Sequence, residues 1–216
     1  MKPTDPDTSN SPSAPDVARR VFSQSLPTAE AYAELLATDG IVRGLIGPRE
    51  VPRLWDRHLL NCAVVTDAVD QGASVCDIGS GAGLPGLVMA IRRPDLMVTL
   101  VEPLLRRTTF LEEAVGILAL KNVRVRRGRA EDLHGVATFD VVTSRAVAPM
   151  DRLSRWSLPL VRSGGSFLAM KGSSAETEVA DAAKVIGKEK GQVQGVIELG
   201  TGLLETPVRV VRIVKR

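Results

Sequence analysis

Beyond residue 73 the apolar positions of this 216-residue chain follow two alternating periods. Short runs rich in valine, leucine and isoleucine predict strands over 74–78, 97–102, 123–127, 139–144 and 166–170. Stretches with helical spacing lie between them, over 84–91, 106–118, 130–133 (short) and 149–160. Strand–helix alternation of this kind builds a parallel sheet with right-handed crossovers. The end changes character. A helix over 175–186 is followed by strands over 194–199 and 208–214 with no helix between them, so one of that pair runs antiparallel. The expected fold class is α/β, with a seven-stranded, mostly parallel sheet and a terminal antiparallel hairpin.

The first 71 residues carry no strand pattern. Residues 1–15, rich in Pro, Ser, Thr and Asp with no apolar period, read as a disordered leader. Over 17–36 Val21, Phe22, Ala29, Ala33 and Leu36 form a loose helical face interrupted at Pro27, and Asp39-Gly40 breaks it. A short apolar turn over 42–46 ends at Gly47-Pro48. Over 51–69 Leu54, Trp55, Leu59, Cys62, Val65 and Val69 recur at helical spacing. The expected organisation is a leader over 1–15, a helical cap over 16–71 and the α/β domain over 72–216.

Composition narrows the classes. Hydrophobic residues make up 44%, enough for a core, while aromatics at 3% argue against extensive base stacking on aromatic platforms. No apolar run approaches the roughly 18 residues of a membrane span, and the N-terminus lacks the apolar region of a secretory signal. Cys62 and Cys76 make neither a disulfide framework nor a zinc site, and no other metal-ligand spacing occurs. A cytoplasmic protein without membrane partners, acting as a monomer, is expected. The charge balance is modest, 28 basic against 25 acidic residues, but the basic ones cluster. Lys121, Arg124, Arg126, Arg127 and Arg129 share one segment; Arg92-Arg93, Arg106-Arg107 and Arg209, Arg212, Lys215, Arg216 form others. Such clusters suit a polyanion, against the bland reading of solvated faces.

The chemistry concentrates in Asp77-Ile78-Gly79-Ser80-Gly81-Ala82-Gly83-Leu84-Pro85-Gly86, between the first predicted strand and its helix. Glycines let the chain bend sharply and a ligand lie against the backbone, and the helix N-terminus offers free N–H groups. The spacing G-x-G-x-G is not the G-x-G-x-x-G of dinucleotide sites. Asp77 beside the turn disfavours a pyrophosphate and suits a cationic ligand such as S-adenosylmethionine, with its sulfonium and ammonium groups. Glu102 ends the second strand, where an acid accepts ribose hydroxyls. The bland alternative is a glycine turn that binds nothing.

Around the same crevice fall Gly128 to Asp132 and Ser144-Arg145. Ala130 and Glu131 would meet the adenine, and Arg145 the methionine end or the acceptor; a structural Arg145 paired with Glu131 or Asp132 is the alternative. Thr143-Ser144-Arg145-Ala146-Val147 lacks the Asn/Asp-Pro-Pro-aromatic turn of exocyclic-amine methylation, and neither cysteine stands where a pyrimidine C5 nucleophile would. An acceptor that is already nucleophilic remains, and guanine N7 qualifies: transfer then needs in-line positioning, with no base or metal. The catalytic residues stay unassigned, with Arg145 and His58 as positioning candidates; His58 and His134 read as structural or RNA-contacting.

Trp55-Asp56-Arg57-His58-Leu59-Leu60-Asn61-Cys62, the Asp77–Gly86 stretch, Arg106-Arg107 before Phe110-Leu111, Thr143-Ser144-Arg145-Ala146 and Ala169-Met170-Lys171-Gly172 occur in this order. Over about 34–216 the chain resembles the RsmG (GidB) family of 16S ribosomal RNA guanine-N7 methyltransferases. That resemblance implies a Rossmann-like class I methyltransferase that uses S-adenosylmethionine on guanine 527 of the 530 loop, in 16S rRNA or the small ribosomal subunit. It implies that Gly79, Leu84, Ala130, Glu131 and Arg145 line the cofactor site, with Glu102 at the acidic ribose position; Asp77, Gly81 and Gly83 are added to that site from the reading of the glycine turn. RNA would be held by Arg57, His58, Arg106, Arg107 and Lys171. Asn61-Cys62 stands where many members have Asp-Ser, and the proline-rich leader is extra. A small-molecule methyltransferase, a non-catalytic RNA-binding sensor of the same cofactor and a nicotinamide dehydrogenase are the competing readings.

Overall fold

The computed structural model describes residues 11–145 and 148–216. Most of the leader, residues 1–10, and Ala146 and Val147 of the fourth-strand motif lie outside the described residues.

The α/β body has strands β1 (Ser74–Ile78), β2 (Met97–Glu102), β3 (Val123–Arg127), β4 (Phe139–Arg145), β5 (Val161–Met170), β6 (Gly191–Leu199) and β7 (Val208–Lys215). They form one sheet in the order β3-β2-β1-β4-β5-β7-β6. The first five strands are mutually parallel; β7 runs antiparallel to both β5 and β6. Two strands are longer than their apolar runs. β5 starts at Val161, which pairs with Phe139; the register then shifts across the polar Arg162–Gly165 stretch, and regular pairing resumes at Ser166. β6 starts at Gly191.

Seven α-helices accompany the sheet among the described residues: α1 (Asp16–Phe22), α2 (Leu26–Leu35), α3 (Leu60–Val64), α4 (Gly86–Arg92), α5 (Leu105–Ile117), α6 (Met150–Ser157) and α7 (Ala175–Lys188). Pro27 stands in the first turn of α2, where its missing N–H is tolerated, and a tight turn over Ser23–Ser25 separates α2 from α1. The helical stretch expected over 51–69 is not regular. It runs as tight turns over Pro48–Arg53, wide i→i+5 turns over Leu54–Leu59, then α3, then a tight turn over Val65–Ala68.

The sheet's two faces bury separate sets of side chains, as alternation along a strand requires. One face packs Val75, Val98 and Leu100 with α4, α5 and the N-terminal helices in a single cluster that includes Phe22, Tyr32, Leu36, Leu54 and Leu59. The other packs Cys76, Ile78, Val101 and Phe167 with α6 and α7. Arg92 fastens the N-terminal helices to α4: its guanidinium donates to the carbonyls of Val21 (3.2 Å) and Ala63 (2.7 Å) and pairs with Asp67 (2.8 Å).

Candidate functional site

Strand order reverses at β1, which lies between β2 and β4. Ligands of open α/β sheets bind beyond the carboxyl ends of the strands at such a point. A cleft of about 880 Å³ opens there, within the size range of small-molecule sites. Its floor is the turn after β1, where the N–H groups of Gly79 and Ser80 donate to the Val101 carbonyl at 2.8 and 3.2 Å. Gly81 has a φ of +57°, and a Cβ there would meet only the Gly79 carbonyl oxygen, 3.9 Å away. That side of Gly81 is therefore open space beside the cleft it lines. Gly86 serves packing: a Cβ there would collide with Leu100 and lie 2.7 Å from Asp77 Oδ2. It lets α4 approach the sheet closely, the part played by the third glycine of a dinucleotide turn.

Glu102 ends β2 with its carboxylate 1% exposed. Oε2 accepts the Gly81 N–H at 3.0 Å, Oε1 accepts the Leu104 N–H at 3.1 Å, and Arg107 stands 3.5 Å from Oε2. Each carboxylate oxygen retains acceptor capacity beyond these bonds. A fixed carboxyl group lining the cleft, with acceptor capacity to spare, can take two neighbouring hydroxyls. Leu104, Ala130, Glu131 and Trp156 line the cleft as well.

Asp77 takes a different place from the one its spacing suggested. It shares a strand face with Val75, under the start of α4, and is fully buried. Oδ2 accepts the Gly86 N–H at 3.0 Å, while Oδ1 has no hydrogen-bond partner among the described residues. Burial pushes its carboxyl up to about 7 from the usual 3.8. Between these values the folded chain holds a proton that the unfolded chain has released. The stability this confers is fully present below the unfolded value and is lost as pH rises through the folded one. Asp77→Asn, neutral at every pH, should therefore gain on the parent by a few degrees of melting temperature between pH 5 and pH 8.5. A pH-independent difference between the two proteins would contradict this assignment.

Arg145, at the end of β4, reaches across to the helical segment. Its guanidinium donates to His58 Nδ1 (3.0 Å), the Arg57 carbonyl (3.3 Å) and Cys62 Sγ (3.4 Å). His58 Nε2 in turn lies 2.8 Å from Glu50 Oε2. Because Nδ1 must accept from Arg145, the proton sits on Nε2, facing Glu50. Burial, then the Arg145 charge, hold the imidazolium below its usual range against the opposing pull of Glu50. The alternative pairing of Arg145 with Glu131 or Asp132 is not formed; Asp132 instead accepts the Arg129 N–H at 2.8 Å.

Of the residues singled out by sequence, Gly79, Gly81, Leu84, Glu102, Ala130, Glu131, Arg145, Arg57, His58 and Arg107 line the cleft together. Four do not. Asp77 lies behind the loop, and Gly83 faces α4, where a Cβ would collide with Leu87. Lys171 is held by Glu178 (2.6 Å) and the Ala148 carbonyl (2.8 Å), and Arg106 is exposed outside the cleft lining. Two of the basic clusters are largely engaged in the fold: Arg92 as above, Arg93 with Asp95 (2.7 Å), Arg209 with Glu176, and Lys215 with the Glu189 carbonyl. Residues unforeseen from sequence include Glu50, Trp156 and Tyr32, whose hydroxyl donates to the Ala82 carbonyl at 2.6 Å and holds the glycine turn from behind.

The family described as "rRNA small subunit methyltransferase G" (GidB) matches residues 25–205. The chain is 57% identical over 198 residues to the ribosomal RNA small subunit methyltransferase G of Thermobifida fusca, covering 92% of this chain and 84% of that protein. It is 58% identical over 212 residues to the protein of the same name in Nocardioides sp., covering 98% and 85%. With its Corynebacterium glutamicum namesake it shares 55% identity over 202 residues, covering 92% and 91%. Among solved structures, M. jannaschii TYW2 in complex with AdoMet superposes with a TM-score of 0.59 at 12% identity, over 76% of this chain and 78% of that one. That likeness concerns the fold.

Proposed function

Because the chain belongs to the rRNA small subunit methyltransferase G family, we propose that its cleft transfers a methyl group from S-adenosylmethionine to N7 of guanine 527 in 16S rRNA. The observation that carries the cofactor assignment is Glu102, a buried carboxylate pinned by two backbone N–H groups beside a glycine turn with open space above it. These residues fit the cofactor. Glu102 would accept both ribose hydroxyls, and Ala130 and Glu131 would border the adenine. The turn from Gly79 to Leu84 would lie along the methionine portion. Bound there, the cofactor supplies a sulfonium methyl group as electrophile.

Guanine N7 carries an in-plane lone pair and no proton, so the protein's task is to orient it in line with the methyl group rather than to remove a proton. Arg145 and His58 stand on the cleft wall between β4 and the helical segment, suited to position the acceptor. Arg57 and Arg107 offer phosphate contacts at the same opening. A guanine within folded RNA must be exposed or flipped to enter. The test is mass mapping of 16S rRNA from cells with and without the gene, repeated with purified protein and cofactor. Loss of one N7-methylguanosine and its restoration in vitro are expected; an unchanged methylation map would refute the assignment.

The Glu50–His58–Arg145 chain sets a pH limit. Protonation of Nδ1 would turn the acceptor facing Arg145 into a donor and break that contact. Since His58 is held below its usual value of 6.5, the acid limb of kcat should fall below that pH. Glu50 is the group that favours the imidazolium. In Glu50→Gln the limb should move to lower pH still, with the tautomer kept by the amide oxygen. An upward shift in the kcat–pH profile would contradict the arrangement.

A further inference from the structure

β3 is the edge strand of the sheet, packed against β2 and, on one face, against α5. Val123 and Val125 point to the α5 face and join its core. Arg124 and Arg126 therefore point to the other face, and both are exposed. The reason lies in the next crossover. Between β3 and β4 the chain forms only the short turn Ala130–Leu133, with no α-helix to cover the outer strand. Lys121 precedes the strand and Arg127 ends it, Arg127 on the Val123/Val125 side by the same alternation, and Arg129 lines the cleft. None of these five side chains forms an ion pair among the described residues, unlike Arg92, Arg93 and Arg209. The nearest acids by sequence are Glu131, on the cleft, and Asp132, engaged by the Arg129 N–H.

We propose that the uncovered face of β3 is a phosphate track that docks the RNA backbone flanking the target and leads it to the cleft. The proposal rests on the reading of RNA as substrate. Charge complementarity selects the occupant. Arginines at alternate strand positions stand about 6.6 Å apart, a spacing that suits successive phosphates of one strand. Unpaired cations on an edge also discourage pairing with another sheet, so a protein strand is a poor occupant.

The test compares the parent with Arg124→Gln/Arg126→Gln. A control, Arg19→Gln/Arg20→Gln, removes equal charge from exposed positions of α1. Affinity for protein-free 16S rRNA and methylation of small subunits are measured across a salt series, with cofactor affinity by calorimetry. For the β3 variant, RNA affinity should fall about tenfold, and the slope of log affinity against log salt should lessen by about 1.4, roughly 0.7 for each lost contact. KM should rise while kcat and cofactor affinity stay unchanged, and the control should behave as the parent. Unchanged RNA affinity and slope would overturn the proposal. So would equal losses in the control, or a loss confined to small subunits, which would point to a ribosomal protein as the partner. If the parent itself methylates no small-subunit RNA, the functional reading fails instead.

Discussion

Replacing Gly81 with aspartate is expected to reduce affinity for S-adenosylmethionine by at least about 100-fold, some 2.7 kcal/mol. Three effects act together. The new side chain would occupy the open space beside Gly81, where the proposed cofactor site lies. A second carboxylate would stand beside Glu102, whose Oε2 accepts the Gly81 N–H. The φ of +57° is also unfavourable for a residue with a Cβ, costing about 1–2 kcal/mol. Isothermal titration reads the affinity, and a thermal melt reads the strain. The fold should survive, because no heavy atom outside the turn lies near the new Cβ. Affinity equal to the parent's would place the cofactor elsewhere.

Arg145→Ala should lower kcat by about 100-fold, the scale of loss when a reacting group is misplaced by roughly 1 Å. The substitution removes the donors to His58 Nδ1, the Arg57 carbonyl and Cys62 Sγ. The helical wall of the cleft then loses its tie to the end of β4. Cofactor affinity should change far less, since Glu102 and the glycine turn stay intact. Arg145→Lys should recover only part of the rate, because one ammonium cannot span three acceptors in the planar geometry of a guanidinium. Near-parental turnover in the alanine variant would make Arg145 a purely structural link.

Strand positions were legible because buried parallel strands write themselves as short β-branched runs. β5 shows the limit: residues 161–165 fall in no predicted element, yet Val161 pairs with Phe139 and Arg162 bonds Asp140 at 2.5 Å. Those contacts are tertiary and leave no periodicity. The wide turns at Leu54–Leu59 escaped for a similar reason, since apolar spacing does not record a local change of helical pitch. In the site, Glu102 was legible from its place at a strand's end. Asp77 was legible as part of the turn motif but not in its orientation, which depends on which sheet face α4 covers. Tyr32 and Glu50 were invisible because their roles arise from folding: Tyr32 meets Ala82 across 50 residues, and Glu50 acts through His58.

The shared cluster that joins Tyr32, Leu36, Leu54 and Leu59 to Val75, Val98 and Leu100 has a consequence for how the molecule comes apart. A protease searching for a seam near residue 71 finds apolar side chains interlocked across it, so limited digestion should not release two stable halves. Any loosening of the early helices would expose the underside of α4 and slacken the turn that Tyr32 braces. Damage far from the cleft mouth would then surface first as weakened donor binding, before the polypeptide melts.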